Sequence, residues 1–197
     1  MIRKKKNSMF SAKNIISLFF VLLMASSILA IWNGSDDSSS LPDYNGHKIK
    51  LDGNYYVIKT DYGDVYGYTY PSYLETIEFV KSLSNAINPA GEIIILFDPD
   101  DEYINYIELF RSELAQRDLY NLGKTASFAI TKENDEYSFP VLDCESAPVA
   151  TIYLRTINLT TSHIYQEGNC IILEGESGLN LARVKDRFVY TLYKVME

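Results

Sequence analysis

The sequence predicts an α/β (or α+β) sandwich, a mixed sheet with about three helices, preceded by an N-terminal transmembrane helix. Three observations carry this. Residues 15–32 form an uncharged apolar run. Residues 92–97 read as a short strand, apolar after its opening Glu. The segments after residue 47 alternate between strand-like and helix-like periods.

The N-terminus is read first. IISLFFVLLMASSILAIW, residues 15–32, covers about 27 Å as a helix, close to a bilayer core of roughly 30 Å. Trp32 suits the far interface. Arg3, Lys4, Lys5, Lys6 and Lys13 precede the run and stay cytoplasmic by the positive-inside rule. This predicts a cell-membrane protein with a single pass, a cytoplasmic N-terminus and a C-terminal domain outside. The bilayer is a partner through residues 15–32. The competing reading is a cleaved signal peptide with Ala25-Ser26-Ser27 near the cut, which makes the protein secreted. The organisation expected is a basic tip 1–13, an anchor or signal 14–32, a stalk 33–46 and an exported domain 47–197.

Charge divides along the same line. The chain holds Lys+Arg 18 and Asp+Glu 26, net -8. Residues 1–32 contain five of those basic residues and no acid, so the remainder carries 13 basic and 26 acidic residues, or -13. That balance excludes general nucleic-acid binding. Cations or basic partners are a better match, and an envelope protein or polymer is an expected partner.

Residues 47–70 predict a three-stranded antiparallel element with turns at Asp52-Gly53 and 61–64. Pro71 suits a helix start, and Leu74, Ile77, Val80, Leu83 and Ile87 hold a helical period to residue 88. Asn88-Pro89-Ala90-Gly91 stops it. Strand 92–97 reads as central, with helices on both faces. A helix over 101–119 follows, its stripe formed by Ile104, Ile107, Phe110 and Leu114. Strands are expected at 125–130, at 137–142 as an edge interrupted by Pro140, at 149–154 and at 170–173. Asn180 is the expected cap of a last helix lined by Leu181, Val184, Phe188, Leu192 and Val195.

Candidate sites are few. Cys144 and Cys170 form a disulfide if exported, worth roughly 3–4 kcal/mol on the chain-entropy model. The alternative makes Cys144 a nucleophile with His163 as base. Asp98, Asp100, Asp101 and Glu102 lie beyond strand 92–97, where ligands bind in open α/β sheets. Asp98, Asp100 and Asp101 are the candidate metal ligands, although their spacing is not that of an EF-hand. Asp98, Glu174 and Glu176 are the candidate catalytic carboxylates, and solvated loop charge or helix capping is the competing explanation. His47 and His163 are isolated, which argues against zinc. Arg187 beside Asp186 suits a structural ion pair or a reach toward a loop carboxylate. Asn33 and Asn158 open N-glycosylation sequons. No fingerprint implies a cofactor.

The segments YNGHKI (44–49), ILFDPDD (95–101), CESAPVATIYL (144–154), NCIILEG (169–175) and DRFVYTLYKVM (186–196) resemble those of uncharacterised membrane-anchored archaeal proteins. That resemblance implies an exported α/β domain and no known activity. Two functions are expected. One is a membrane-tethered binding or structural module of the cell envelope. The other is a membrane-tethered hydrolase using loop carboxylates after 97 and 173.

Overall fold

The computed structural model describes Phe19, Val21, residues 41–79, Leu83, and residues 87–147, 150–158 and 161–197. The chain divides into two compact units, Met1–Ser39 and Ser40–Glu197. All elements named here belong to the second.

The first sheet is an antiparallel meander of β1 (Ile49–Asp52), β2 (Tyr55–Thr60) and β3 (Gly63–Gly67). Gly53 at φ 58 makes the first turn, a conformation cheap for a residue without Cβ. Ile49, Val57, Ile58 and Val65 are buried. Pro71 opens a 3-10 turn, Pro71–Leu74. Leu83 and Ile87 beyond it are helical and buried, while Val80 lies outside the described residues.

The second sheet has five strands in the order β5-β4-β6-β8-β7, where β4 is Glu92–Phe97, β5 Thr125–Ile130, β6 Thr151–Thr156, β7 His163–Glu167 and β8 Cys170–Gly175. β5, β4, β6 and β8 are parallel and β7 is antiparallel to β8. The chain leaves β4 for β5 on one side and returns to β6 on the other, so strand order reverses at β4 and β6.

Strand alternation sorts the core. Ile93, Ile95 and Phe97 of β4, Ile152 and Leu154 of β6, and Ile171 and Leu173 of β8 share one large cluster with the helices. The helices are α1 (Ile104–Glu113), extended by a π-helical turn Leu114–Asp118 and the short α2 (Leu119–Asn121), and α3 (Gly178–Leu192). The opposite face holds a smaller cluster of Ile94, Leu96, Ala129, Cys170 and Ile172, against which Leu142 and Cys144 pack. Among the described residues no helix packs on this face, and the expectation of helices on both faces fails. The loop after β5 covers the second face, fastened by the Cys144–Cys170 disulfide.

Two local expectations are corrected. Residues 137–142 form no strand, because Pro140 cannot extend a ladder; the contact is a single bridge between Val141 and Ile130. Ser177, not Asn180, caps α3, its hydroxyl accepting from the Asn180 N–H. The strand β7 was not anticipated.

The transmembrane helix is also corrected. Spanning requires about 20 apolar residues in one helix. No helix among the described residues is long and apolar enough to cross a membrane. The 15-residue α3 carries Lys185, Asp186 and Arg187 within it. Of the run 15–32 only Phe19 and Val21 are described, and the remainder, with the basic tip, the stalk to residue 40 and Asn33, lies outside the described residues. The lipid-bilayer partner, the single-pass localisation and membrane tethering in either functional form are accordingly not supported. The mixed sheet with two principal helices stands.

Candidate functional site

The reversal of strand order leaves a cleft of about 290 Å³ beyond the carboxyl ends of β4 and β6. Crevices at such reversals are where open α/β sheets hold ligands, because the flanking connections diverge to opposite sides. Asp98 and Asp101 reach it from the loop after β4, Glu102 from just before α1, Thr156 and Asn158 from the end of β6, and Glu176 from the turn into α3.

Asp101 ties the cleft together. One carboxylate oxygen accepts the Thr156 hydroxyl at 2.6 Å and the other the Thr156 N–H at 2.8 Å. Asp98 Oδ1 accepts the Asp100 N–H at 2.9 Å. Lys132 Nζ lies 3.0 Å from both Asp98 and Asp100, and these two carboxylates raise its ammonium above the ordinary lysine value. Glu176 accepts from the Asn180 amide at 3.2 Å. Through Glu176 the cleft adjoins a polar hollow of about 500 Å³ whose lining includes Glu78, His163 and Arg183.

The structure therefore brings Asp98 and Glu176 to one cleft and leaves Glu174 out of it. Glu174 shares a sheet face with Cys170 and Ile172 and is buried. It accepts from Arg155 Nε at 2.6 Å and from the Tyr165 hydroxyl at 3.1 Å. Burial alone would lower the Arg155 guanidinium, but Glu174 outweighs it and raises the value. Among the described residues no group of three His, Cys, Asp or Glu converges to hold a metal ion. Asp98 and Asp100 point at Lys132 and Asp101 at Thr156. The exposed Asn158 sits on the cleft rim, with Leu159 and Thr160 of its sequon outside the described residues.

Cys144 and Cys170 are bonded, with Cα atoms 5.2 Å apart. Cys144 is thus not a free nucleophile, and His163 Nε2 contacts the Thr161 hydroxyl at 2.6 Å. Among the described residues Arg187 forms no salt bridge with a loop carboxylate. It donates to the carbonyls of Ile77 and Glu197 and to the Thr191 hydroxyl, and burial lowers its guanidinium.

A second cluster, unanticipated apart from Asp186, is buried where α1, α3 and the segment after β3 meet. Lys185 Nζ, wholly buried, lies 2.9 Å from Glu113 and 3.0 Å from Asp186. Arg117 bonds Asp118 at 2.8 Å and approaches Glu113 at 3.4 Å. The Tyr68 hydroxyl donates to Glu113, and Asp186 Oδ2 accepts the N–H groups of Tyr68 and Thr69 at 2.7 and 2.9 Å. Asp186 Oδ1 has no aligned hydrogen bond. The π-helical turn explains the convergence. Its i to i+5 spacing brings Glu113 and Asp118 to one side, toward Lys185.

Three carboxyls here face two cations. Burial would push Glu113 up, but Lys185, Tyr68 and Arg117 outweigh it and hold it low. Burial raises Asp118 and Asp186 despite the pull of Lys185, and Lys185 is itself raised because Asp186, Asp118 and Glu113 outweigh its burial. Carboxyls raised in the native state bind protons that the unfolded chain releases. Their stabilisation is complete below the ordinary carboxyl value near 4 and fades as pH rises through the native values. The stability that Asp118 and Asp186 contribute should therefore rise as pH falls through their raised native values and level off near the ordinary carboxyl value of about 4. Asp118→Asn and Asp186→Asn should each flatten that rise in urea unfolding followed from neutral pH to about 4. Variants that keep the wild-type pH dependence would contradict the raised values. Lys185 and Asp186 at its centre are wholly buried and act in folding, while Tyr68 and Thr69 at its edge line an open groove.

No family model, curated protein or solved structure matches the chain. The resemblance to membrane-anchored archaeal proteins is overturned by that result, and with it the function inferred from a tether.

Proposed function

We propose that Ser40–Glu197 is a binding module for a small ligand bearing a cationic amine, held in the cleft at the carboxyl ends of β4 and β6. The observation that carries this is the cleft lining, which presents Asp98, Asp101, Glu102 and Glu176 and no Lys or Arg among the described residues; Lys132, outside the lining, pairs Asp98 alone of these four. Fixed hydrogen bonds orient Asp98, Asp101 and Glu176, which favours recognition of a defined donor pattern. An ammonium supplies the charge and the N–H donors that such acceptors select. The reading involves no membrane attachment.

Calorimetric titration of the full chain with 1,4-diaminobutane tests it. Glu176→Gln removes one charged acceptor and should weaken binding about tenfold or more, the usual scale for a charge-assisted hydrogen bond. Asp52→Asn, an equal charge change at the exposed end of β1 in the other sheet, should leave affinity unchanged. Absent binding, or equal weakening by both substitutions, would sink the proposal.

A further inference from the structure

A different cavity opens between α1 and α3. Its walls repeat at i, i+3 and i+4 on both helices, with Tyr106, Leu109 and Phe110 facing Leu179, Ala182 and Arg183. Its volume is about 280 Å³. Leu179 is 69% exposed and Leu109 45%, an arrangement that folding alone does not require at facing positions of two packed helices. The Tyr106 ring lies so close to Gly178 that an added Cβ would come within 2.3 Å of it. The close approach seats Tyr106 against the start of α3 as a wall of the groove.

Arg183 is the one charged side chain lining this groove among the described residues. It is exposed, forms no salt bridge among them, and donates one hydrogen bond, from Nη2 to the Tyr73 carbonyl at 3.1 Å. Its remaining N–H donors are available in a fork that matches a carboxylate.

We propose that the groove binds a free medium-chain monocarboxylate, its alkyl chain between the two helices and its carboxylate on Arg183. The apolar walls supply the hydrophobic part and the arginine supplies charge complementarity. A cavity of about 280 Å³ accepts one short chain and excludes a two-chain lipid.

Methyl-resolved NMR of the full chain titrated with decanoate tests this. Saturable shifts are expected at the methyls of Leu109, Leu179 and Ala182. Arg183→Gln should weaken binding about tenfold or more, and Arg183→Lys should recover part of the loss. Ala182→Phe fills the groove and should abolish the shifts; Leu179→Asp, at an exposed position, does the same if the first variant does not fold. Decyltrimethylammonium, with the same chain and the opposite charge, should bind wild type no better than Arg183→Gln. Absent shifts at these methyls, equal decanoate affinity in Arg183→Gln, or equal binding of the two head groups to wild type would each overturn the proposal.

Discussion

Lys185→Met should cost the folded unit about 3–5 kcal/mol, the usual penalty for removing one partner of a buried ion pair. The ammonium is wholly buried and lies 2.9 and 3.0 Å from Glu113 and Asp186. Methionine matches its length and supplies no charge. Glu113, Asp118 and Asp186 then face Arg117 alone. Arg117 touches the first two, and no salt bridge among the described residues joins it to Asp186. The measurement is urea unfolding, with a lower midpoint and an unchanged slope. Lys185→Met with Asp186→Asn should recover part of the loss, since the second change removes the charge stranded by the first. A loss below about 1 kcal/mol would place Lys185 outside the folding network.

The second large effect concerns the disulfide. Cys144→Ala with Cys170→Ala should destabilise by roughly 3–4 kcal/mol, from the loop closure between two residues 26 apart. The same bond holds the loop over the sheet face that α1 and α3 leave uncovered. Asn169 supports it there, its N–H donating to the Cys144 carbonyl at 2.8 Å and its side-chain amide to the Ala147 carbonyl at 2.9 Å. Gly168, at φ 55, is required at this crossing. A Cβ there would stand 2.6 Å from the Cys144 carbonyl oxygen. Loss of the bond should therefore expose Ile94, Leu96 and Ile172 before the sheet itself melts. Urea unfolding gives the magnitude, and binding of a hydrophobic dye at low urea reports the exposed face. Wild type in reductant should behave as the double variant does. A stability change below about 1 kcal/mol, with no dye binding, would show that the loop holds without its covalent tie.

Legibility in the sequence followed the strength of the local signal. The strands expected at 92–97 and 170–173 announce themselves as apolar runs of strand length, and Asp52-Gly53 marks its hairpin by chemistry that few other turns need. The strand His163–Glu167 has an alternation too short and too polar to stand out. It exists because the turn at Gly168 folds it against Cys170–Gly175. The expected strand at 137–142 fails for the opposite reason, since its apolar residues pack as Tyr137 and Phe139 against Phe97 and not as a ladder.

The buried charges had one readable sign. Lys185 stands four residues after Leu181 and three before Phe188, inside the apolar stripe of its helix. Glu113 similarly follows Phe110 by three. A charge on a buried stripe needs a partner, but the partners lie 72 residues apart in sequence. Among the carboxylates, Glu174 and Glu176 look equivalent in sequence. One is turned to a sheet face and met by Arg155, while the other lies past the strand end and meets the cleft.

By itself the sequence determined the class of the folded unit, the order of most strands along the chain, and the one disulfide its two cysteines could form. These depend on local periodicity, turn chemistry and the absence of any other thiol. Tertiary structure decided which sheet face carries the helices, which acids share a cleft, and that Lys185 is enclosed with three carboxyls. Those are matters of which elements become neighbours. The neighbour of each strand is set by the strand order β5-β4-β6-β8-β7, and the energy that selects this order is summed over contacts distant in sequence and invisible in any one window of it.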